Sequence, residues 1–262
     1  MKNISLVLCM LFVFCLIENV FGYAKNSSFE RNKIITKYGK LIPKKWGENF
    51  PETKTKLDTK DLVLALTFDA CGSKTDGYDS ALINFLIQEK IPATLFVTAR
   101  WIDKFPKEFE TLSKNELFEI GNHGLNHRPC SVSGKSAYGI KGTKSAGEVF
   151  DEAELNALKI QEITNKKPKY FRSGTAHYDE VAVKIINDLG YEIVGFNVNG
   201  DYGATKNKEE IKNILLKAEP GSIIIFHMNR PEKETAEGIK ETIPELKKRG
   251  VRFVKLSDYP LK

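Results

Sequence analysis

DLVLALTFDACG, residues 61–72, joins an unbroken apolar run to a carboxylate. The run Leu62–Phe68 has the length of one strand, and continuous apolarity is typical of a parallel strand that is buried on both faces. Asp69 follows directly, at the carboxyl end of that strand. The stretch therefore predicts a central buried strand that presents a polar side chain where it ends.

The rest of the chain repeats this pattern, with helical spacing between the apolar runs. Further strands are predicted over Ala93–Thr98, Phe118–Gly121, Lys169–Arg172, Glu192–Val198, Ser222–His227 and Arg252–Leu256. Between them, Val181, Ile185 and Leu189 recur every four residues, and Glu209–Ala218 and Thr235–Lys248 are the last two predicted helices. Seven strands alternating with helices over roughly 200 residues predict an α/β barrel of parallel strands rather than an open sheet with a second domain.

Composition narrows the class of protein further. The chain has 262 residues, 41% of them apolar, and this excludes a disordered protein, a collagen-like repeat and a disulfide-dense miniprotein. Forty basic residues against thirty-four acidic ones give a net charge of +6. We find no run of five like charges, and a small surplus without clustering predicts no nucleic-acid partner.

The N-terminus has the order of a secretory signal peptide. A lysine precedes the apolar run Ile4–Ile17, and small to medium residues lead to a cut after Gly22 that removes residues 1–22. The run is short for a bilayer span of about 20 residues. We therefore predict a secreted or periplasmic protein without stable membrane insertion after cleavage; a retained N-terminal anchor is the alternative. Cys71 and Cys130 remain after cleavage, either bridged or as two free thiols.

The mature chain divides into two parts. Residues 23–60 are polar, rich in lysine and weakly periodic, and we predict an N-terminal extension that wraps the domain formed by residues 61–262. Within that domain, Cys130–Gly147 contains four glycines and no apolar period. Eighteen residues without a predicted helix or strand inside a compact domain indicate a functional loop. We expect this loop to shape a cleft.

Polar side chains of unusual kinds stand where the predicted strands end. They are Asp69, His123, His127, Arg172, Asp201 and His227. Because the C-terminal ends of parallel barrel strands converge on one mouth, these scattered residues are expected to meet in a single cleft. His123 and His127 are the sharpest local signal, since two imidazoles four residues apart on one helical turn can face one cation. Neutral imidazole suits zinc and other late divalent metals.

Five patterns in this order resemble the polysaccharide deacetylases with a NodB-homology domain, the family 4 carbohydrate esterases. They are Thr67-Phe68-Asp69-Ala70-Cys71-Gly72, Asn122-His123-Gly124-Leu125-Asn126-His127-Arg128-Pro129, Tyr170-Phe171-Arg172-Ser173-Gly174, Asn199-Gly200-Asp201-Tyr202 and Ile223-Ile224-Ile225-Phe226-His227. The resemblance covers roughly residues 61–258. It implies an α/β fold of the NodB type, a distorted (β/α)7-8 barrel of parallel strands with its active site at their C-terminal ends. It also implies a metal-dependent enzyme that removes N-acetyl groups from amino sugars.

The resemblance also implies a role for each residue. His123 and His127 would bind a divalent metal, for which zinc is favoured. Asp69 would be the general base, kept ionised by Arg172. His227 would be the general acid that protonates the leaving amine.

Two residues are assigned to the substrate side of the site. Asp201 and Tyr202 are expected to bind the sugar, and Asp201 could instead orient His227. The expected partner is a glycan that contains N-acetylated amino sugars.

The chain departs from the family at its third metal ligand. That ligand is the second Asp of the family's T-F-D-D-G motif, and Ala70 occupies its place here. Asp76 is the favoured substitute. Asp69 itself, Asp79 or His177, and a site without metal are the alternatives.

The leading hypothesis is a deacetylase that acts on an N-acetylated glycan of the cell envelope or extracellular space. Two rivals remain. One is a catalytically impaired carbohydrate-binding domain on the same fold, and the other is an esterase that acts on O-acetylated glycan.

Overall fold

A computed structural model describes residues 27–262, so the predicted signal peptide, residues 1–22, lies outside the described residues. The strands are, in chain order, β1 (Trp46–Gly47), β2 (Val63–Ala70), β3 (Ala93–Val97), β4 (Phe118–Asn122), β5 (Ser136–Ala137), β6 (Ile140–Lys141), β7 (Tyr170–Phe171), β8 (Tyr178–Asp179), β9 (Glu192–Ile193), β10 (Val198–Asn199), β11 (Ser222–His227) and β12 (Arg252–Val254). The α-helices are α1 (27–38), α2 (Ser80–Gln88), α3 (Ala99–Lys104), α4 (Pro106–Ser113), α5 (Ala146–Thr164), α6 (Glu180–Asp188), α7 (Lys208–Leu216) and α8 (Thr235–Lys248).

Eight of these strands form one sheet, in the order β10-β11-β2-β3-β4-β7-β9, with β12 paired to the first half of β2. Every neighbouring pair in it is parallel. Helices connect most of the strands, as parallel pairing requires. The predicted α/β fold of parallel strands is thereby confirmed.

The central strand β2 is buried along its whole length, and its two faces enter different cores. Leu64, Leu66, Phe68 and Ala70 belong to the cluster that packs against the helices. Val63 and Ala65 belong to the cluster inside the barrel. Because side chains alternate along a strand, the odd-numbered positions of β2 form a row that runs through the interior to the mouth.

The predicted strand Glu192–Val198 is wrong as a single element. It is divided into β9 and β10, and the segment between them pairs with the N-terminal extension. Lys54 bridges Val194 in parallel, and Lys56 bridges Ser222 in antiparallel fashion. The extension therefore fills the gap between the two ends of the sheet, and the chain from residue 194 to 197 leaves the regular ladder to accommodate it.

Two further regions contain structure that the sequence pattern did not predict. Residues 27–38 form α1, whose Ile34 and Tyr38 are buried against α5 and α6. Cys130–Gly147, predicted to lack any element, carries the antiparallel hairpin β5–β6 and the first residues of α5. Both cysteines of the described chain, Cys71 and Cys130, are free thiols. Within residues 27–262, no helix is long and apolar enough to cross a bilayer.

Candidate active site

The C-terminal ends of the parallel strands surround a cleft of about 600 Å³. Among the residues predicted to carry chemistry, those that line it are Asp69, Asp76, His127, Tyr202 and His227. His123, Arg172 and Asp201 are fully buried behind this lining. All eight predicted site residues therefore gather at one mouth, although they come from positions that are distant in the sequence.

Asp69 is fixed by a buried ion pair with Arg172. The Asp69 Oδ1 atom accepts a hydrogen bond of 2.8 Å from Arg172 Nη1, which also donates to Thr67 Oγ1. The rest of the guanidinium donates to the Val194 and Gly195 carbonyls, which the interruption between β9 and β10 leaves available. Burial opposes ionisation of Asp69, but the cationic groups around it, which include the Arg172 guanidinium, outweigh burial and lower its pKa.

The two histidines lie in a loop after β4, and the prediction that they share a helical turn is wrong. Gly124 has φ +87° and His127 has φ +59°, both in the left-handed region that interrupts a helix. The two imidazole rings meet edge to face, with centroids 5.0 Å apart. A tight loop therefore brings the rings together where a helical turn was expected to do so.

Glu152 of α5 builds this loop, and the sequence analysis missed it. Its Oε1 atom accepts hydrogen bonds from the backbone N–H groups of Asn126 and Arg128, at 2.9 and 3.0 Å. Glycine is favoured at position 124, because its φ of +87° lies in the left-handed region and a Cβ atom there would lie 2.6 Å from the same oxygen. One feature of the sequence could have indicated its role: Glu152 lies between Val149 and Ala153, so that a carboxylate stands on the apolar stripe of the helix.

His227 forms the second charge pair of the mouth, with Asp201. The Nδ1 atom of His227 donates to Asp201 Oδ1 at 2.8 Å, which turns its Nε2 atom away from that carboxylate. Burial lowers the pKa of His227, but the Asp201 carboxylate outweighs burial and raises it above the ordinary value. The ring therefore keeps its proton to a higher pH than an ordinary histidine, and it remains part of the cleft lining.

The prediction that Asp201 binds the sugar is not supported by its surroundings. The residue is 0% exposed. Its Oδ2 atom accepts hydrogen bonds from the His227 backbone N–H and from Thr235 Oγ1. With both oxygens engaged inside the protein, Asp201 is placed to orient His227. Tyr202, the other predicted sugar contact, is 55% exposed on the cleft lining and free to meet a ligand.

Three side chains offer ligand atoms within 4.8 Å of one another, namely Cys71, His123 and His127. Asp76, the favoured third ligand, is outside this group, and both of its oxygens accept hydrogen bonds from Ser73, through the backbone N–H and the hydroxyl. Asp79 caps α2 through the Leu82 N–H. Among the described residues, the compact set of metal-type ligands at this mouth is one thiol and two imidazoles.

The donor set fits a divalent metal. His123 Nδ1 donates to the carbonyl oxygen of Arg172 at 2.9 Å, so its Nε2 atom carries the lone pair. That atom is buried and has no hydrogen-bond partner among the described residues. Burial keeps His123 and His127 in the neutral form that binds metals, because it lowers the pKa of both. Ligation would satisfy an acceptor that is otherwise buried at a cost.

A parallel α/β barrel with a carboxylate–arginine pair, a histidine–carboxylate pair and a candidate metal site at its C-terminal mouth defines a hydrolase of the carbohydrate esterase class. The sequence profile described as polysaccharide deacetylase matches residues 56–194, more than half of the chain. The chain therefore belongs to the polysaccharide deacetylase family. The resemblance and the prediction of an enzyme of this class are confirmed.

Curated relatives and solved structures agree with this membership. The peptidoglycan-N-acetylmuramic acid deacetylase PdaA of Bacillus subtilis is 26% identical over 209 residues, 77% of this chain and 72% of the relative. A peptidoglycan-N-acetylglucosamine deacetylase of Bacillus cereus is 28% identical over 200 residues, 75% of this chain and 87% of the relative. The structure of Bacillus subtilis PdaA, a family 4 carbohydrate esterase, matches with a TM-score of 0.64 and 25% identity over 88% of both chains.

Proposed function

We propose that this protein removes N-acetyl groups from the amino sugars of peptidoglycan by metal-dependent amide hydrolysis. One observation carries the proposal: a carboxylate held by a cation, Asp69–Arg172, and an imidazole held by a carboxylate, His227–Asp201, stand at one cleft beside the imidazoles of His123 and His127. Amide hydrolysis needs a base for water and an acid for the leaving amine, and groups whose environments push their pKa values apart supply both. The proposed substrate class, peptidoglycan, comes from the names of the two curated relatives described above, both of which are peptidoglycan deacetylases.

Asp69 is the proposed general base. The ion pair with Arg172 holds the carboxylate ionised, and the Asp69 Oδ2 atom remains 3.3 Å from His123 Nε2, at the candidate metal group. A carboxylate in this place accepts a proton from water that attacks the acetyl carbon. Arg172 is a positioning residue, because its donors are spent on Asp69, Thr67 and backbone carbonyls.

His227 is the proposed general acid. Its Nδ1–H is held by Asp201, so the Nε2–H of the protonated ring is the proton that can pass to the leaving amine. The raised pKa keeps the ring charged toward neutral pH, where a general acid must still hold its proton. Asp201 thus acts through His227 and does not touch the substrate.

His123 and His127 would hold the metal together with a third protein ligand, and zinc is favoured because imidazole suits it. When bound, such a metal polarises a carbonyl and lowers the pKa of its water. The predicted signal peptide supports export, which would bring the enzyme to the peptidoglycan. Exposed Tyr202 on the cleft lining is the proposed sugar contact, through its aromatic face.

The experiment is acetate release by the metal-loaded protein from three substrates: purified peptidoglycan, N-acetylglucosamine oligomers and O-acetylated xylan. We expect release from peptidoglycan, with mass spectra of the digested glycan locating the free amine on glucosamine or muramic acid. Release from the O-acetylated substrate alone would make the protein an esterase. Binding to peptidoglycan without release would make it a carbohydrate-binding domain.

A further inference from the structure

We propose that the Cys71 thiolate is the third protein ligand of the metal site, so that this chain holds its metal through one sulfur and two imidazoles. The ligand atoms of Cys71, His123 and His127 all lie within 4.8 Å of one another. The inference rests on the proposed function, which calls for a metal at this mouth. It goes further by naming the ligand that replaces a carboxylate and the class of metal that follows.

Position 71, and not position 70, serves the site, because β2 ends at Ala70 and the residue that follows it lines the cleft. Ala70 belongs to the core between the sheet and the helices, together with Leu64, Leu66 and Phe68. The opposite row runs through Thr67 and Asp69 and leads to Cys71, which lines the cleft. Ala70 offers no ligand atom, whereas Cys71, the residue directly after β2, brings a sulfur to the cleft lining.

The backbone around Cys71 is fixed, which holds its side chain at the mouth. Thr98 Oγ1 donates to the Cys71 carbonyl at 2.9 Å, and Arg100 Nη2 donates to the same oxygen at 3.1 Å. Gly72 follows with φ +76°, and a Cβ atom there would lie 2.5 Å from the Trp101 backbone nitrogen. The chain therefore turns sharply against the start of α3 directly after Cys71.

An independent observation points to a ligand at the same place. The Nε2 atom of His123 is an acceptor in a residue that is 1% exposed, and it has no hydrogen-bond partner within the described chain, because the Asp69 Oδ2 atom 3.3 Å away is also an acceptor. Buried polar atoms are nearly always satisfied, so such an exception asks for an occupant. A cation shared with the Cys71 sulfur satisfies it.

The competing oxygen ligands are engaged elsewhere, except for Asp69 Oδ2, which lies 3.3 Å from His123 Nε2. Both oxygens of Asp76 accept hydrogen bonds from Ser73. Asp69 Oδ1 is held by Arg172, and neither aspartate belongs to the compact group. A thiolate with two imidazoles is a soft to borderline donor set that suits zinc and cobalt(II) more than magnesium or calcium. Three protein ligands also leave the open position that a catalytic zinc site needs.

The test is the absorption spectrum of the cobalt(II)-loaded protein, measured without substrate. We expect a near-ultraviolet thiolate-to-cobalt charge-transfer band in the unaltered chain and in Cys130→Ser, the matched control at the other cysteine. Cys71→Ser should lack the band. Its zinc affinity, measured by chelator competition, should fall by more than the roughly 10–100-fold typical of losing a residue that only orients a ligand. Circular dichroism establishes that each variant folds.

A second measurement needs no variant. Alkylation of Cys71 by iodoacetamide, followed by mass spectrometry, should be blocked by zinc and restored by chelation. Three results would overturn the proposal: a band that survives in Cys71→Ser, cobalt bound by the unaltered chain without a band, or alkylation of Cys71 that zinc does not slow. If the band appears as expected but no acetate is released, the ligand assignment stands and the proposed function fails.

Discussion

Replacing Asp201 by asparagine tests the proposed acid most informatively. The carboxylate receives three hydrogen bonds, from His227 Nδ1, the His227 backbone N–H and Thr235 Oγ1. An amide of the same shape removes the charge and turns an NH₂ group toward one of these donors. We therefore expect Asp201→Asn to lower the pKa of His227 and to leave the ring poorly held.

The magnitude follows from the bond that is lost. A hydrogen bond to a charged group contributes about 1.5–3 kcal/mol, and about 1.4 kcal/mol corresponds to one pH unit. Because the acid works only while protonated, activity falls on the alkaline side as His227 loses its proton. In Asp201→Asn, the alkaline limb of the kcat/KM profile should therefore move about one to two pH units toward acid.

The assay is acetate release from peptidoglycan fragments across the pH range. Thr235→Val is the matched control, because it removes one hydrogen bond to Asp201 and leaves the charge beside His227. Its alkaline limb should stay in place. Thermal unfolding of both variants separates a loss of folded protein from a change in mechanism. An alkaline limb that does not move in Asp201→Asn would refute the assignment of His227 as an acid tuned by Asp201.

Three other substitutions test the remaining parts of the site. Asp69→Asn should keep zinc, as measured by elemental analysis, and lose turnover by roughly 10²–10⁴-fold, since the amide accepts no proton; near-normal turnover would remove Asp69 as the base. Arg172→Met should lower the free energy of unfolding, measured in urea, by about 3–5 kcal/mol, because it strands a buried carboxylate; a loss below about 1 kcal/mol would show that the pair is not buried as described. Tyr202→Ala should raise KM and leave kcat nearly unchanged, because the ring lies on the exposed rim; an unchanged KM would exclude it as a sugar contact.

Elements with strong apolar periodicity were predictable from the sequence. The strand Ser222–His227 and the helix Thr235–Lys248 have the predicted limits. Both gain their stability from a continuous apolar run or stripe, which is a local property of the sequence. The convergence of Asp69, Arg172 and His227 was predictable for a related reason, since parallel strands share one carboxyl edge.

Features that depend on distant parts of the chain were not predictable. The interruption after Glu192–Ile193 exists because Lys54, far away in the sequence, pairs with Val194. The loop that carries His123 and His127 takes its shape from Glu152, which no local pattern connects to it.

The third ligand is a different case, because the needed signal was local. The prediction of Asp76 came from comparing the family motif position by position, which placed the missing carboxylate at Ala70. β2 ends at Ala70, whose side chain packs in the apolar core, and the next residue, Cys71, carries a metal-type ligand atom at the cleft lining.

The central claim is that this mouth performs metal-dependent deacetylation of peptidoglycan, and acetate release before and after chelation tests it most directly. The zinc-loaded protein should release acetate from purified peptidoglycan, stop when the metal is removed and resume when zinc is returned. His127→Ala, which removes one imidazole of the ligand group, should remain inactive throughout. Equal release by metal-free protein, or zinc-loaded protein that binds peptidoglycan and releases no acetate, would contradict the account.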